Sequence, residues 1–271
     1  MIKIVNCNNL KIYKMQTLND LRLAVLIDAD NIPYSNVKGM LEEIAKYGTP
    51  TFKRIYGDWT KPTVSGWKSV LLENAITPVQ QYSYTQGKNA TDSAMIIDAM
   101  DILYSGKIDG FCLVSSDSDF TRLATRLREA GMKVIGIGER KTPKPFIVSC
   151  DKFIYIEIIN SSTATQEPVA IKKRRGQPVR SKQKTEETEQ QIQIRKAKSI
   201  IASSISDLAD ENGWAYLGDV GNLILKKQPD FDPRNFGFAK LTPLIRSFDF
   251  EIDERDSGLN NIKHIYIRNR R

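Results

Sequence analysis

The sequence predicts an α/β fold, a doubly wound and mostly parallel sheet flanked by helices, followed by a small winged helix. Three observations carry this expectation. Apolar runs of strand length alternate with stretches of helical spacing over residues 21–158, the pattern of a parallel sheet with crossover helices. Residues 159–191 are polar and basic, almost without large apolar side chains, and form a flexible tether. From residue 192 to 271, three helical segments precede two alternating ones, the order of three helices and a β-wing.

Residues 1–20 alternate weakly and are broken by Asn6, Asn8 and Asn9, so they read as an N-terminal extension or a poor edge strand. The run Leu23-Ala24-Val25-Leu26-Ile27 is a buried strand at 22–27. After Pro33, Val37, Met40, Leu41 and Ile44 have helical spacing, closed by Tyr47-Gly48. A second strand at 51–56, a helix around 64–74 and a short segment at 77–84 follow. Residues 91–104 read as a helix, 111–115 as a strand, 118–130 as a helix stopped by Gly131, and 133–138 as a strand. In the second unit, Ala197, Ile201, Ile205 and Leu208 mark a helix that ends near Asn212-Gly213. Val220 to Leu225 and Phe238 to Ile245 suit two more helices, with Trp214, Phe236 and Leu244 expected in the core. Residues 248–252 and 264–268 alternate as two strands of a hairpin turning at 256–258.

A chain of 271 residues, 41% of them apolar, can bury two cores. The net charge of +8 points to polyanionic partners, nucleic acid before an acidic membrane. Three widely spaced cysteines without a C-x-x-C pair argue against a disulfide framework or zinc site. No run of about 18 apolar residues exists, so the expectation is a soluble cytoplasmic protein in a reducing compartment, with no membrane partner.

Aspartates carry the chemical information. Asp28 closes the first strand in Asp28-Ala29-Asp30-Asn31, and Asp117 and Asp119 follow the strand that ends at Val114. Ends of parallel strands are where open α/β sheets place their active sites, and fixed carboxylates suit hard divalent cations such as Mg²⁺ or Mn²⁺. Asp92 opens the helix at 91–104, where Thr91 is a competing cap. Asp30 equally suits a helix cap, Asn31 suits orienting Asp28, and Asp98 and Asp101 suit a solvated or supporting face. In the strand-end cluster, Asp117 is expected towards the metal, with Ser118 or Asp119 at the helix start. These acids fit metal-assisted hydrolysis of a phosphodiester, in which no protein nucleophile is needed. The single histidine, His264, lies in the wing, which argues against a histidine general base in the first domain. Arg54, Lys61, Lys88 and Arg122 are candidate phosphate contacts or plain surface cations. In the tether, Lys172, Lys173, Arg174 and Arg175 begin a basic block without intervening acid, suited to nucleic acid or simply solvated.

Residues 21–158 resemble the NYN domain, the LabA-like branch of the PIN-like nucleases. The blocks that carry this are Leu26-Ile27-Asp28-Ala29-Asp30-Asn31, Lys88 with Asp92 and Asp98, and Ser115-Ser116-Asp117-Ser118-Asp119-Phe120. The resemblance implies a PIN-like α/β/α fold, a bound metal and endoribonuclease activity, with Asp28, Asp92 and Asp117 as the leading acids, Asp119 next and Asn31 in support. One departure is Thr91 before Asp92, with no glycine in that block. The C-terminal unit is similar to the OST-HTH or LOTUS domain through Gly213-Trp214-Ala215, Leu217-Gly218-Asp219-Val220-Gly221 and Phe231-Asp232-Pro233-Arg234-Asn235-Phe236-Gly237. That resemblance implies binding of RNA, including structured or G-rich RNA, and in some members of a helicase partner. Lys226, Lys227, Arg234 and Lys240 are its contact candidates.

The leading expectation is a metal-dependent endoribonuclease whose RNA is recruited by the winged helix. The alternative is an RNA-binding adaptor with little turnover. A third reading, a DNA-binding regulator with a small-molecule sensor domain, is weakened by the lack of a G-x-G-x-x-G or P-loop motif. A homodimer is compatible with all three.

Overall fold

A computed structural model of the protein describes residues 20–82, 90–163, 189–256 and 263–270. The N-terminal extension, most of the tether with its basic block, and the hairpin tip lie outside these residues.

The first sheet starts with β1 (Arg22–Asp28), buried at every position after Arg22. Such a run needs cover on both faces, and alternate residues supply two cores: Leu23, Val25 and Ile27 on one side, Ala24 and Leu26 on the other. A 3₁₀ turn and α1 (Val37–Ile44) lead to β2 (Thr49–Gly57), and α2 (Lys68–Glu73) to β3 (Thr77–Gln80). The helix α3 (Ala90–Tyr104) returns the chain to β4 (Gly110–Val114) on the far side of β1. Then come α4 (Thr121–Glu129), β5 (Lys133–Gly138), α5 (Lys144–Ser149), β6 (Lys152–Tyr155) and α6 (Ile156–Thr163). The six strands are parallel in the order β3-β2-β1-β4-β5-β6. Helices α1 and α6 cover one face, while α3, α4 and α5 cover the other. The direction of winding reverses between β1 and β4, which opens a crevice at their carboxyl ends.

Three elements of the first domain, α5, β6 and α6, have no counterpart in the sequence reading, and α6 runs on into residues 159–163, where the sequence places the start of the tether. All three are short, and Lys152 and Tyr155 flank only two buried residues in β6, too few for a clear period.

The second unit begins with α7 (Glu189–Leu208) and β7 (Ala215–Tyr216). It continues through α8 (Leu217–Lys227), a 3₁₀ turn at Pro233–Phe236, α9 (Leu241–Arg246), β8 (Glu251–Asp256) and β9 (Lys263–Arg268). Its antiparallel sheet has the order β7-β9-β8, and a core of its own includes Ile201, Ile205, Val220, Leu244 and Ile267. The structure corrects two expectations. The first wing strand starts at Glu251 rather than Phe248, because Phe248 closes the turn after α9 by donating its N–H to the Ile245 carbonyl. Trp214 is not in the core; it lies under the guanidinium of Arg268, 4.6 Å from the ring centroid.

The winged helix docks on the edge strand β6. The Phe153 N–H donates to the Pro229 carbonyl at 2.9 Å, and the Tyr155 hydroxyl donates to Asp230 Oδ2 at 2.8 Å. An open strand edge is thereby capped. Arg234 crosses to α1, giving Glu43 a two-pronged contact at 2.8 and 2.9 Å while also binding Asp232.

Candidate metal centre

The crevice between β1 and β4 collects the acids. β1 pairs with β4 so that Ile27 faces Val114, which places Asp28 and Ser115 side by side just beyond the paired segment. Asp28 is 1% exposed, and both of its oxygens are bonded. Oδ2 accepts from Asn31 Nδ2 at 2.6 Å and from Ser115 Oγ at 2.8 Å, and Oδ1 accepts from the Asp30 N–H at 3.1 Å. Burial raises the Asp28 pKa, and these three hydrogen bonds oppose the rise.

Ser115 is the residue that the sequence reading quoted without giving it a role. Its Oγ also accepts from the Asp117 N–H at 3.0 Å, so one hydroxyl ties the β1 acid to the β4 loop. The next residue, Ser116, accepts from the Glu139 N–H at 2.9 Å and ties that loop to the one after β5. Behind them stands Gly138, where a side chain would bring a Cβ within 2.6 Å of the Ser115 carbonyl oxygen.

Three carboxylates converge above this base. Asp92 in the first turn of α3, Asp117 and Asp119 each offer an oxygen, all within 4.8 Å of one another. Asp28 is not one of the three, yet it is close enough for its charge to act on Asp92. The Asp92 pKa is pushed up to about 6, first by burial and then by the charges of Asp28, Asp117, Asp119 and Asp30. Asp117 is itself the cap of the 3₁₀ turn before α4, accepting from the Asp119 N–H at 2.9 Å through Oδ1. The expected division of labour, with Ser118 or Asp119 at the helix start, is therefore not what is found: a carboxylate has two oxygens, and Asp117 caps with one of them. Asp30 accepts a long bond from Thr91 Oγ1 at 3.4 Å, which links the β1 loop to the start of α3.

The candidate cations are spread out. Arg54 is bound by Asp98, which also accepts from the Tyr56 hydroxyl, so Asp98 supports β2. Arg122 is exposed in the first turn of α4. Lys226 and Lys240 are exposed on the winged helix, while Lys227 is paired with Asp207 at 2.5 Å. Arg234 serves the domain contact. Lys88, Lys172, Lys173, Arg174 and Arg175 lie outside the described residues.

The NYN domain model matches residues 22–157, and the OST-HTH/LOTUS domain model matches residues 191–262. No curated protein matches the chain. Among solved structures, the chain is similar to a protein of unknown function from Vibrio parahaemolyticus. The two are 22% identical, with a TM-score of 0.43, over 52% of this chain and 96% of that one. It is also similar to an uncharacterized protein from Nitrosomonas europaea, 27% identical with a TM-score of 0.25, over 36% of this chain and 90% of that one. No helix among the described residues is long and apolar enough to cross a membrane. The chain belongs to the NYN domain family, within the PIN-like nuclease superfamily, and joins its NYN domain to an OST-HTH/LOTUS winged helix.

Proposed function

We propose that the protein is a metal-dependent endoribonuclease, with RNA recruited by the winged helix. The convergence of Asp92, Asp117 and Asp119 carries this reading. Their donor set is hard oxygen only, the kind that Mg²⁺ and Mn²⁺ prefer. Crowding these carboxylates is costly without a cation; the Asp92 pKa is raised first by its burial and then by the charges of the neighbouring acids.

A bound divalent ion would lower the pKa of a water molecule and offset charge on the leaving oxygen. The chain's own residues do the rest. Asp92, Asp117 and Asp119 would hold the ion, and below about pH 6 Asp92 would have to give up a proton to join them. Asp28 is locked by Asn31 and Ser115 and keeps a fixed negative field beneath the three. A histidine base has no part in this, since the only histidine stands on β9. The second reading is an RNA-binding adaptor, and one observation favours it: Arg54, a cation expected to steady phosphates, is taken up by Asp98.

Labelled single-stranded, duplex and G-rich RNAs, with DNA controls, separate the two when incubated in Mn²⁺, Mg²⁺ or EDTA. The expected result is metal-dependent cutting of RNA that Asp92→Asn and Asp117→Asn abolish with the fold intact. Tight RNA binding without cutting in any metal would leave the adaptor. Cutting by both variants at the wild-type rate would remove these acids from the chemistry.

A further inference from the structure

Where the winged helix docks, the two domains line an open cavity of about 680 Å³ that belongs to neither alone. One wall is the end of α1 with Tyr47 and the start of β6 with Lys152. The other is formed by Tyr216, the first turns of α8, Lys240 at the start of α9, and Lys263 on β9. The volume lies within the range of small-molecule sites, about 300–1,000 Å³.

Its charge is unbalanced. Five cationic side chains face two carboxylates, Glu43 and Asp232. Both carboxylates are already taken by Arg234, and Glu43 also binds Lys46 at 2.6 Å. Lys152 is left half-buried with no ion pair among the described residues; its ammonium rests 5.3 Å from the centre of the Tyr47 ring. Burial lowers the Lys152 pKa, with Arg234 and Lys133 adding to the fall and Asp232 and Glu43 opposing it. A partly dehydrated ammonium is made more favourable by an anion that joins it. Lys240 is exposed at the mouth without an ion pair among the described residues. Among the described residues, the ion pair of Lys263 is a long one, 3.5 Å to Glu254.

Aromatic faces accompany the charge. Tyr216 is 38% exposed and lies 5.3 Å, ring centre to ring centre, from His264 at a tilt of 31°. Cations beside aromatic faces suit a phosphate attached to a base. A carboxylate peptide would use the cations and leave the rings idle.

We propose that this interdomain cavity binds the phosphate of a nucleotide, free or within an RNA strand, with Lys152 as its central cation. The RNA source rests on the reading of the winged helix as the recruiter of RNA; the free nucleotide does not. The site draws residues from both domains, so it exists only while the winged helix is docked.

The test uses the full chain in EDTA with four probes: inorganic phosphate, adenosine monophosphate, a fluorescent 12-residue RNA and polyglutamate. Lys152→Met keeps the packing stem, and Lys240→Gln changes an exposed residue, so that a folding failure in one leaves the other. Wild type is expected to bind the monophosphate or the RNA, and Lys152→Met to weaken that binding at least about tenfold. For RNA, the slope of log affinity against log salt should fall by about 0.7 for each lost contact. Monophosphate binding identifies a free nucleotide; RNA binding alone identifies a strand. The proposal is overturned if no phosphate-bearing probe binds, if Lys152→Met (or Lys240→Gln, should Lys152→Met fail to fold) binds as wild type does, or if polyglutamate binds in preference. RNA cleavage in Mn²⁺ is measured beside it. Cleavage with Lys152-indifferent binding ends this proposal alone, whereas Lys152-dependent binding without cleavage ends only the nuclease reading.

Discussion

Ser115 and Asp28 are 87 residues apart in the chain and share a hydrogen bond of 2.8 Å in the floor of the acidic crevice. The same hydroxyl receives the Asp117 N–H, so its loss affects two acids at once. In Ser115→Ala, Asp28 loses one of the bonds that favour its charged form, and its pKa, already raised by burial, rises further. The acidic limb of the pH–rate profile should move to higher pH, and stability should fall by about 1–3 kcal/mol. Urea unfolding together with cleavage rates from pH 5 to 9 measures both. An unmoved acidic limb would mean that Asp28 does not need its charge.

Asp92 gives a stability effect of unusual sign. Its pKa rises from an ordinary 3.8 to about 6 on folding, first through burial and then through neighbouring acids. The folded chain therefore holds that proton more tightly than the unfolded chain does. The cost of ionising Asp92 is absent below pH 4, grows between pH 4 and 6, and is complete above 6. Asp92→Asn should stabilise the metal-free protein at pH 7.5 by roughly 1 kcal/mol after solvent screening, while removing cleavage. Mn²⁺ should raise the wild-type melting temperature more at pH 7.5 than at pH 5, because at pH 5 binding must expel a proton. Calorimetry at the two pH values checks this; equal gains would place the ion elsewhere.

Strand ends and their acids were legible in the sequence because they depend on local pattern. A run such as Leu23 to Ile27 must be buried on both faces, and Asp28 immediately after it has to sit at a strand end. Partnerships across the fold were not legible. Arg54 looks like a free cation until β2 and α3 bring Asp98 to it, 44 residues away. Arg234 looks like an RNA contact until docking gives it Glu43, 191 residues away. Ser115 was hidden for the same reason. The wing was displaced by three residues because Phe248 and Phe250 alternate as a strand does, yet they pack edge to face, 5.9 Å between ring centres, beside the core.

Glu43 and Arg234 set the stability of the docked arrangement. Burial would raise the Glu43 pKa, but the hydrogen bonds from Arg234 and Lys46 outweigh it and hold the group at about 2. The ion pair contributes in full above pH 4.5 and is lost as pH falls towards 2. Arg234→Ala leaves two nearly buried carboxylates, Glu43 and Asp232, without their main partner. The cost should lie at the lower end of about 3–5 kcal/mol, since Arg234 keeps 20% of its side chain exposed. Small-angle scattering should show a larger radius of gyration for the variant at neutral pH. A radius equal to wild type would assign the docking to the apolar contacts and to the bonds made by Phe153 and Tyr155.

Gly138 tests whether the floor of the crevice must stay rigid. The Cβ of an alanine would stand 2.6 Å from the Ser115 carbonyl oxygen and 2.8 Å from Thr142 Oγ1. Thr142 can rotate its hydroxyl, but the carbonyl belongs to backbone paired with β5 through the Ser115 N–H and the Ile137 carbonyl. Relief of the clash must therefore move Ser115, and with it the bonds to Asp28 and Asp117. Gly138→Ala should reduce stability by about 1–3 kcal/mol and lower Mn²⁺ affinity more than a substitution of equal cost far from the crevice, such as Ile201→Val in the winged-helix core. Titration calorimetry with Mn²⁺ on the two variants, matched for stability, measures the difference. If both bind the ion alike, the acids hold their positions without help from β5.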